Sequence, residues 1–262
     1  MENYSALCNA PPPLPRESIS SWLSRLCLSQ GTSIEAMVKF LELKIHYDFD
    51  YRFWKLDVES ISKKTGLSIA DFKRQRTFSK SLRSYDCDSD HYLMRYKRGR
   101  RSRFCPLCLQ EDEIPYFRME WRLKLCVSCP IHECLLEEDC HHCRRPITLP
   151  INLIAKVSDK RPLESLANCP SCGVQLTKVS PAFFKGVLYE AMDLKSRKFI
   201  KDGDTLIPIL YKGTYRFNKD TRAMRESFSM QATDPENKFK WTARTWRLKI
   251  KRYLKANPMV LT

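Results

Sequence analysis

Glycine is scarce in this chain, with only 7 among 262 residues and no glycine-rich loop. That argues against a phosphate-cradling nucleotide site, which needs glycines to bring backbone amides close to the ligand. Long apolar runs are missing as well. No stretch approaches the ~18–20 residues that span a bilayer, so no membrane partner is expected. Met1-Glu2-Asn3-Tyr4 does not start a basic segment followed by an apolar run, so no signal peptide is expected and a reduced, cytoplasmic setting follows. Acidic residues are the minority charge. The 46 Lys+Arg stand against 30 Asp+Glu, a net charge of +16 with a pI near 9.4. An excess of that size points to nucleic acid, or to a nucleic-acid-bearing complex, as a partner. The length allows two or three small domains rather than one large core.

Cysteine is abundant, at 12 residues. Eight of the ligand-type residues fall into four pairs: Cys105-Pro-Leu-Cys108, Cys129-Pro-Ile-His132, Cys140-His-His-Cys143 and Cys169-Pro-Ser-Cys172. Each pair points two ligands into one quadrant of a tetrahedron, and a second pair closes it. Four pairs make two closed sites, which read as structural Zn²⁺ sites. A disulfide framework is disfavoured in a reduced chain with paired CxxC units. The sequential pairing joins Cys105/Cys108 to Cys129/His132 across residues 109–128 and Cys140/Cys143 to Cys169/Cys172 across 144–168, both of ribbon-like length. A crossed pairing stays open, and so does replacement of a neighbour by Cys126 or Cys134. The prolines after Cys105, Cys129 and Cys169 favour the primary set, because proline pre-sets the tight turn. His141 and His142 read as exposed, and Cys8, Cys27 and Cys87 as isolated, inert residues. The acids beside the pairs, Glu111, Asp112, Glu137, Glu138 and Asp139, form no DxD or HxE pattern. With no open metal position, no enzyme and no small-molecule substrate is expected.

Residues 1–15 form a proline-rich extended arm that cannot be helical. A helix begins near Glu17 and Ser18, buries Ile19, Trp22, Leu23 and Leu26 with Arg25 on its flank, and ends at Gly31. Thr32 or Ser33 caps a second helix carrying Ile34, Met37, Val38, Phe40 and Leu41. Residues 51–76 repeat a helix-turn-helix rhythm: Phe53, Leu56, Val58 and Ile61, then Gly66, then a short helix from Ser68 with Ile69 and Phe72. Lys73, Arg74 and Arg76 follow as candidate nucleic-acid contacts, although such helix pairs are common in ordinary bundles. Arg95, Lys97, Arg98, Arg100, Arg101 and Arg103 form an acid-free basic run, read either as a solvated linker or as a phosphate contact.

Beyond the cysteine pairs, Phe183–Met192 reads as a short amphipathic helix and Leu206–Tyr215 as a hairpin. Lys238–Thr262 holds eight basic residues, among them Arg244, Arg247, Lys251 and Arg252, interleaved with Trp241, Trp246 and Tyr253. Aromatics among cations suit backbone contact with base stacking. A helix that docks its aromatic face on the body and leaves its charges in water fits equally well.

Two stretches resemble the TniQ family of transposon target-selection proteins. The first is Pro13-Leu14-Pro15-Arg16-Glu17-Ser18-Ile19-Ser20-Ser21-Trp22-Leu23-Ser24-Arg25-Leu26. The second runs from Phe104-Cys105-Pro106-Leu107-Cys108-Leu109 through Pro115-Tyr116-Phe117-Arg118 and Trp121-Arg122-Leu123 to Cys129-Pro130-Ile131-His132 and the later CxxC pairs. The resemblance covers about residues 11–176. It implies helix-turn-helix and zinc-ribbon parts, no catalytic centre, and the zinc ligands Cys105, Cys108, Cys129, His132, Cys140, Cys143, Cys169 and Cys172. It also implies an adaptor that links a target-recognising partner to a TnsC-like AAA+ regulator. The chain is much shorter than the related TnsD proteins, which favours a short TniQ serving an RNA-guided Cascade or Cas effector with its guide RNA. A stand-alone DNA-binding protein that recognises an attachment site is the alternative.

The expected fold is mainly α with small zinc-ribbon elements. Residues 1–100 form an N-terminal helical domain, 101–178 a tandem zinc region and 179–262 a basic helical region. The arm and first helix, Pro11–Leu26, are the candidate docking surface, since nothing in the sequence ties residues 1–15 to the core. Their removal is expected to leave stability unchanged.

Overall fold

The computed structural model describes residues 6–44, 48–85, 93–96, 99–154, 163–183, 189 and 192–213. Among them the fold is mainly α with two small antiparallel sheets, as the sequence leads one to expect. Seven helices are named here: α1 (Ile19–Ser29), α2 (Ile34–Phe40), α3 (Phe49–Arg52), α4 (Val58–Thr65), α5 (Lys73–Tyr85), α6 (Pro106–Glu111) and α7 (Leu194–Lys212). The strands are β1 (Arg95–Tyr96), β2 (Gly99–Ser102), β3 (Ser128–Cys129), β4 (Cys134–Leu135), β5 (Ile147–Leu149) and β6 (Ala182–Phe183). They pair in the orders β1-β2-β5 and β3-β4-β6.

The first core is helical. Ser18 caps α1 by accepting the Ser21 N–H, and Ser33 caps α2 by accepting the Ala36 N–H. Each side-chain oxygen thereby satisfies a donor that the helix leaves unpaired. Ile19, Trp22, Leu23 and Leu26 are buried against Phe53, Val58, Ile61 and Phe72. Trp22 and Phe72 meet edge to face with centroids 5.1 Å apart. α4 ends at Gly66, whose φ of 73° favours a residue without Cβ. Ser68 and Asp71 then form a capping box, which turns the chain into α5. Ile69, expected on the apolar face, is 43% exposed.

α1 has a second buried face, made of serines. Ser21 Oγ donates to Glu17 Oε1 and accepts the Phe117 N–H. Ser24 Oγ donates to the Ser20 carbonyl and accepts the Ile151 N–H. These small side chains let the cysteine-rich part lie directly on the helix. Arg122 strengthens the same seam: fully buried, it donates to Asp48 and Asp50 at 2.6–2.7 Å. Burial opposes the Asp48 carboxylate, but the Arg122 guanidinium holds it below the usual carboxylate range.

The arm departs from expectation. Trp22 Nε1 donates to the Pro11 carbonyl at 2.8 Å, and Arg25 donates to the Pro12 carbonyl and to Glu17. Gln75 reaches the Leu14 carbonyl and the Tyr116 hydroxyl reaches that of Pro15. Leu7 and Ala10 pack on the helical core. Proline carbonyls accept hydrogen bonds although the residue has no N–H to offer. The arm is therefore stitched into the fold, and Arg25 on the helix flank is buried.

The second core joins α5, α6, the cysteine-rich segment and α7. α7 corrects the hairpin expected over Leu206–Tyr215. The local alternation of Leu206, Pro208 and Leu210 suggested strands, but Phe199, Ile200, Gly203, Leu206, Ile207 and Leu210 share one buried helical face. Asp193 caps its N-terminus by accepting the Ser196 N–H at 2.9 Å. At Gly203 the helix backbone passes so close to the second core that a Cβ would stand 2.2 Å from the Leu125 carbonyl oxygen. Near its end, Tyr211 donates to Glu120 at 2.6 Å, and Glu120 also pairs with Arg16. Phe183 lies in β6 rather than opening a helix, and most of 184–191 lies outside the described residues, as does Lys238–Thr262.

Candidate metal centres and basic clefts

The structure brings the eight expected donors together in two groups, each with its four ligand atoms within 4.8 Å of one another: Cys105, Cys108, Cys129 and His132, and Cys140, Cys143, Cys169 and Cys172. The local chain explains how. Cys105 is the N-cap of α6 with Pro106 at the first helical position, so Cys108 returns one turn later on the same side. The other three pairs sit in one recurrent turn, in which the N–H of residue i+4 donates to the first cysteine's carbonyl: Glu133 to Cys129, Arg144 to Cys140 and Gly173 to Cys169. Those i+4 residues all have positive φ, of 47°, 61° and 72°. The reversal swings both side chains of each pair to one side.

The spacing fits a tetrahedral ion. Metal–sulfur bonds of about 2.3 Å and metal–nitrogen bonds of about 2.0 Å imply tetrahedral edges of about 3.8 Å between sulfurs and about 3.5 Å between sulfur and nitrogen. In the first group Cys108 and Cys129 are 3.5 Å apart, and His132 Nδ1 lies 3.3–3.5 Å from Cys105, Cys108 and Cys129. In the second, the Cys140–Cys172 and Cys143–Cys169 separations are both 3.7 Å.

The thiols of each group perturb one another in opposite directions, and burial pushes Cys140 and Cys169 up. Hydrogen bonds from Cys108, Cys129 and Cys134 hold the Cys105 thiol far below its usual range, while the same contacts push Cys108 and Cys134 up. A thiolate confined among neutral thiols lacks a positive partner. In the second group burial opposes ionisation of Cys172, but hydrogen bonds involving the Val174 backbone, His142 and Cys143 bring it down to about 6.

The two residues left open in sequence separate here. Cys126 lies away from both groups, with its thiol 3.7 Å from the Ser128 carbonyl. Cys134 stands 3.6 Å from Cys105. Glu111 was not singled out as a partner of the histidine, yet its Oε2 lies 2.8 Å from His132 Nε2. The signal was available, because Glu111 follows Cys108 by three residues on α6 and so shares its face. A carboxylate on the outer nitrogen fixes the ring and turns Nδ1 toward the sulfurs.

Among the described residues, the candidate basic side chains do not form one patch. Lys73 and Arg76 line a groove of about 680 Å³ with Trp54, Ile69, Ala70, Thr77 and Lys80. Arg74 faces a different cleft of about 390 Å³ with Arg16, Pro130, Asp204, Ile207, Pro208 and Tyr211. Arg100 lies over the Phe49 ring at 5.1 Å. Arg101 pairs with Glu138 and Asp139. Arg103, expected as a phosphate contact, is buried: it donates to Glu138 and to the carbonyls of Leu123, Lys124 and Cys126. Its five donors match that ring of acceptors, and this is why it turns inward. Arg98, Arg244, Arg247, Lys251 and Arg252 lie outside the described residues.

The family model described as TniQ matches residues 9–136, a stretch that runs from the arm through the first metal group to the end of the β3–β4 hairpin. These residues belong to the TniQ family. The TniQ match over these residues supports a transposition-related target-selection role. No curated protein matches the chain. The second cysteine group and α7 lie beyond the matched TniQ residues. No helix among the described residues is long and apolar enough to cross a membrane.

Proposed function

We propose that this chain is a non-enzymatic adaptor of transposon target selection. It holds a target-recognition complex and a TnsC-like AAA+ regulator in register for DNA integration. The partner we infer on the recognition side is an RNA-guided Cascade or Cas effector with its guide RNA, in the bacterial cytoplasm. The TniQ match over residues 9–136 carries this reading. Two structural Zn²⁺ ions, bound by Cys105, Cys108, Cys129 and His132 and by Cys140, Cys143, Cys169 and Cys172, fit the same role. Each donor set fills four positions and so leaves none for a reacting water. The two clefts support it too, because they open on different sides of α5 and differ in chemistry. We propose the division 1–100, 101–178 and 179–262 for how these tasks are distributed.

The test is a reconstitution. The full chain is immobilised, and retention of the regulator is measured with and without the targeting complex, alongside integration at the guided site. Simultaneous retention of both partners, and loss of guided integration when the chain is omitted, is the expected result. Retention of neither partner would end the adaptor reading.

One observation favours the alternative, a stand-alone protein that binds an attachment site. α5 follows α4 through a glycine turn and leaves Lys73 and Arg76 exposed, the arrangement of a helix that meets DNA. A footprint on one defined duplex at physiological salt by the chain alone would establish it. We expect instead weak, strongly salt-dependent binding with little sequence preference.

A further inference from the structure

The first metal group has one thiol more than four-coordination uses. Cys134 Sγ is 3.6 Å from Cys105 Sγ, about the same distance that separates Cys108 from Cys129. It is fully buried. Its backbone is fixed on both sides, by pairing with Cys129 across the β3–β4 hairpin and with Phe183 of β6. His132 is the opposite kind of donor. It belongs to the exposed tip of that hairpin, beside Ile131 at 56% exposure, and its outer nitrogen meets a Glu111 side chain that is 61% exposed. A buried fourth thiol therefore stands against one sulfur of the group, Cys105, while the imidazole lies at the more exposed hairpin tip.

A buried cysteine is ordinarily a small apolar residue with a weak S–H donor. With Cys105, Cys108, Cys129 and His132 on the ion, Cys134 has that part to play, donating its S–H to the Cys105 sulfur. Its position permits more. A sulfur 3.6 Å from another already has the edge length of a tetrahedral metal site, and soft ions prefer thiolate to imidazole.

We propose that Cys134 is a reserve ligand of the first centre, taking the place of His132 when a soft, thiophilic ion such as Cd²⁺ is bound or when the imidazole is lost. In the exchange the metal–Nδ1 bond breaks, a metal–Sγ bond to Cys134 forms, and the thiol proton leaves to solvent. The hairpin tip, residues 130–133, swings away and the Cys134 side chain turns from the Cys105 sulfur toward the ion. The proposal rests on reading the two groups as metal centres, and the experiment separates the two ideas.

The full chain and the variants His132→Ala, Cys134→Ser and the double variant are loaded with Cd²⁺. Bound metal per chain is measured by elemental analysis, and bound thiolate by the sulfur-to-cadmium charge-transfer absorbance. The wild type is expected to hold two ions on eight thiolates. Cys134→Ser should hold two ions on seven, an absorbance lower by about one-eighth, since soft ions collect every available sulfur. His132→Ala should keep two ions, and the double variant should keep one. Equal absorbance for wild type and Cys134→Ser would overturn the reserve ligand, as would loss of an ion from His132→Ala alone. The cadmium comparison of wild type with Cys134→Ser does not depend on how well the histidine variant folds. A wild type that holds fewer than two ions would instead sink the metal-centre reading, and the reserve ligand with it.

Discussion

The two cysteine groups share the same short turns but are embedded differently. In the first, Cys105, Cys108 and Cys129 are at most 1% exposed, and the elements that carry them are tied to the rest of the protein. The Ser18 N–H donates to the Phe117 carbonyl, Arg122 reaches Asp48 and Asp50, and α7 presses on Leu125. In the second group Cys140 and Cys169 are buried while Cys143 and Cys172 are half-buried. Cys140 and Cys169 still join the second core, β5 pairs with β2, and the Ile151 N–H donates to Ser24. The same ligand pattern thus sits deep in the core in one place and closer to the surface in the other.

The sharpest way to break that comparison is to remove each centre in turn. Cys105→Ser should abolish the cooperative unfolding transition of the whole described body, because a structural zinc contributes on the order of 10 kcal/mol. Cys169→Ser should lose one metal equivalent yet keep the helical core, with proteolysis confined to about residues 140–176. Thermal melts and limited digestion of both variants check this, and equal damage from the two would erase the distinction.

Next in size is the seam between the first centre and the helices. Arg122→Ala leaves Asp48 and Asp50 buried without their cation, a loss of about 3–5 kcal/mol by denaturant titration. The pH dependence follows from the same pair. The folded Asp48 pKa is depressed, so its contribution is complete above the unfolded value of about 3.9 and is lost as the pH falls through the lower folded value. Asp48→Asn should flatten the acid limb of the stability curve relative to the wild type. An unchanged limb would show that the pair does not hold the seam.

Smaller effects test the outer attachments. Deleting residues 1–15 removes acceptors from Trp22, Arg25 and Gln75 and should lower stability by about 2–4 kcal/mol while both metal equivalents remain. Full stability after the deletion would restore the arm as a free docking segment. Gly203→Ala places a Cβ against the Leu125 carbonyl, and α7 should loosen at a cost of about 1–3 kcal/mol. Amide exchange in 194–212 should rise without a change in metal content.

What could be read in the sequence was local chemistry. The helix caps at Ser18 and Ser33, the glycine stops at Gly31 and Gly66, and the paired ligands all act within about four residues. Longer-range features were hidden. Arg25, Arg103 and Arg122 look like surface charges in sequence, yet each is buried against acceptors set by the fold, and the partners of Arg122 lie more than 70 residues away. α7 was misread because an apolar stretch of one or two turns does not by itself separate strand alternation from the helical period. The arm looked free because prolines cannot donate, although their carbonyls still accept. The basic run before Cys105 was ambiguous for the same reason, since charge does not reveal which way an arginine turns.

The central claim is that two closed, four-donor centres hold this chain together, and metal content tests it most directly. Elemental analysis of the full chain, purified without chelator, should return about two zinc equivalents, as eight donors in two tetrahedral groups require. A value near one, or a chain that melts unchanged after all metal is stripped, would contradict it.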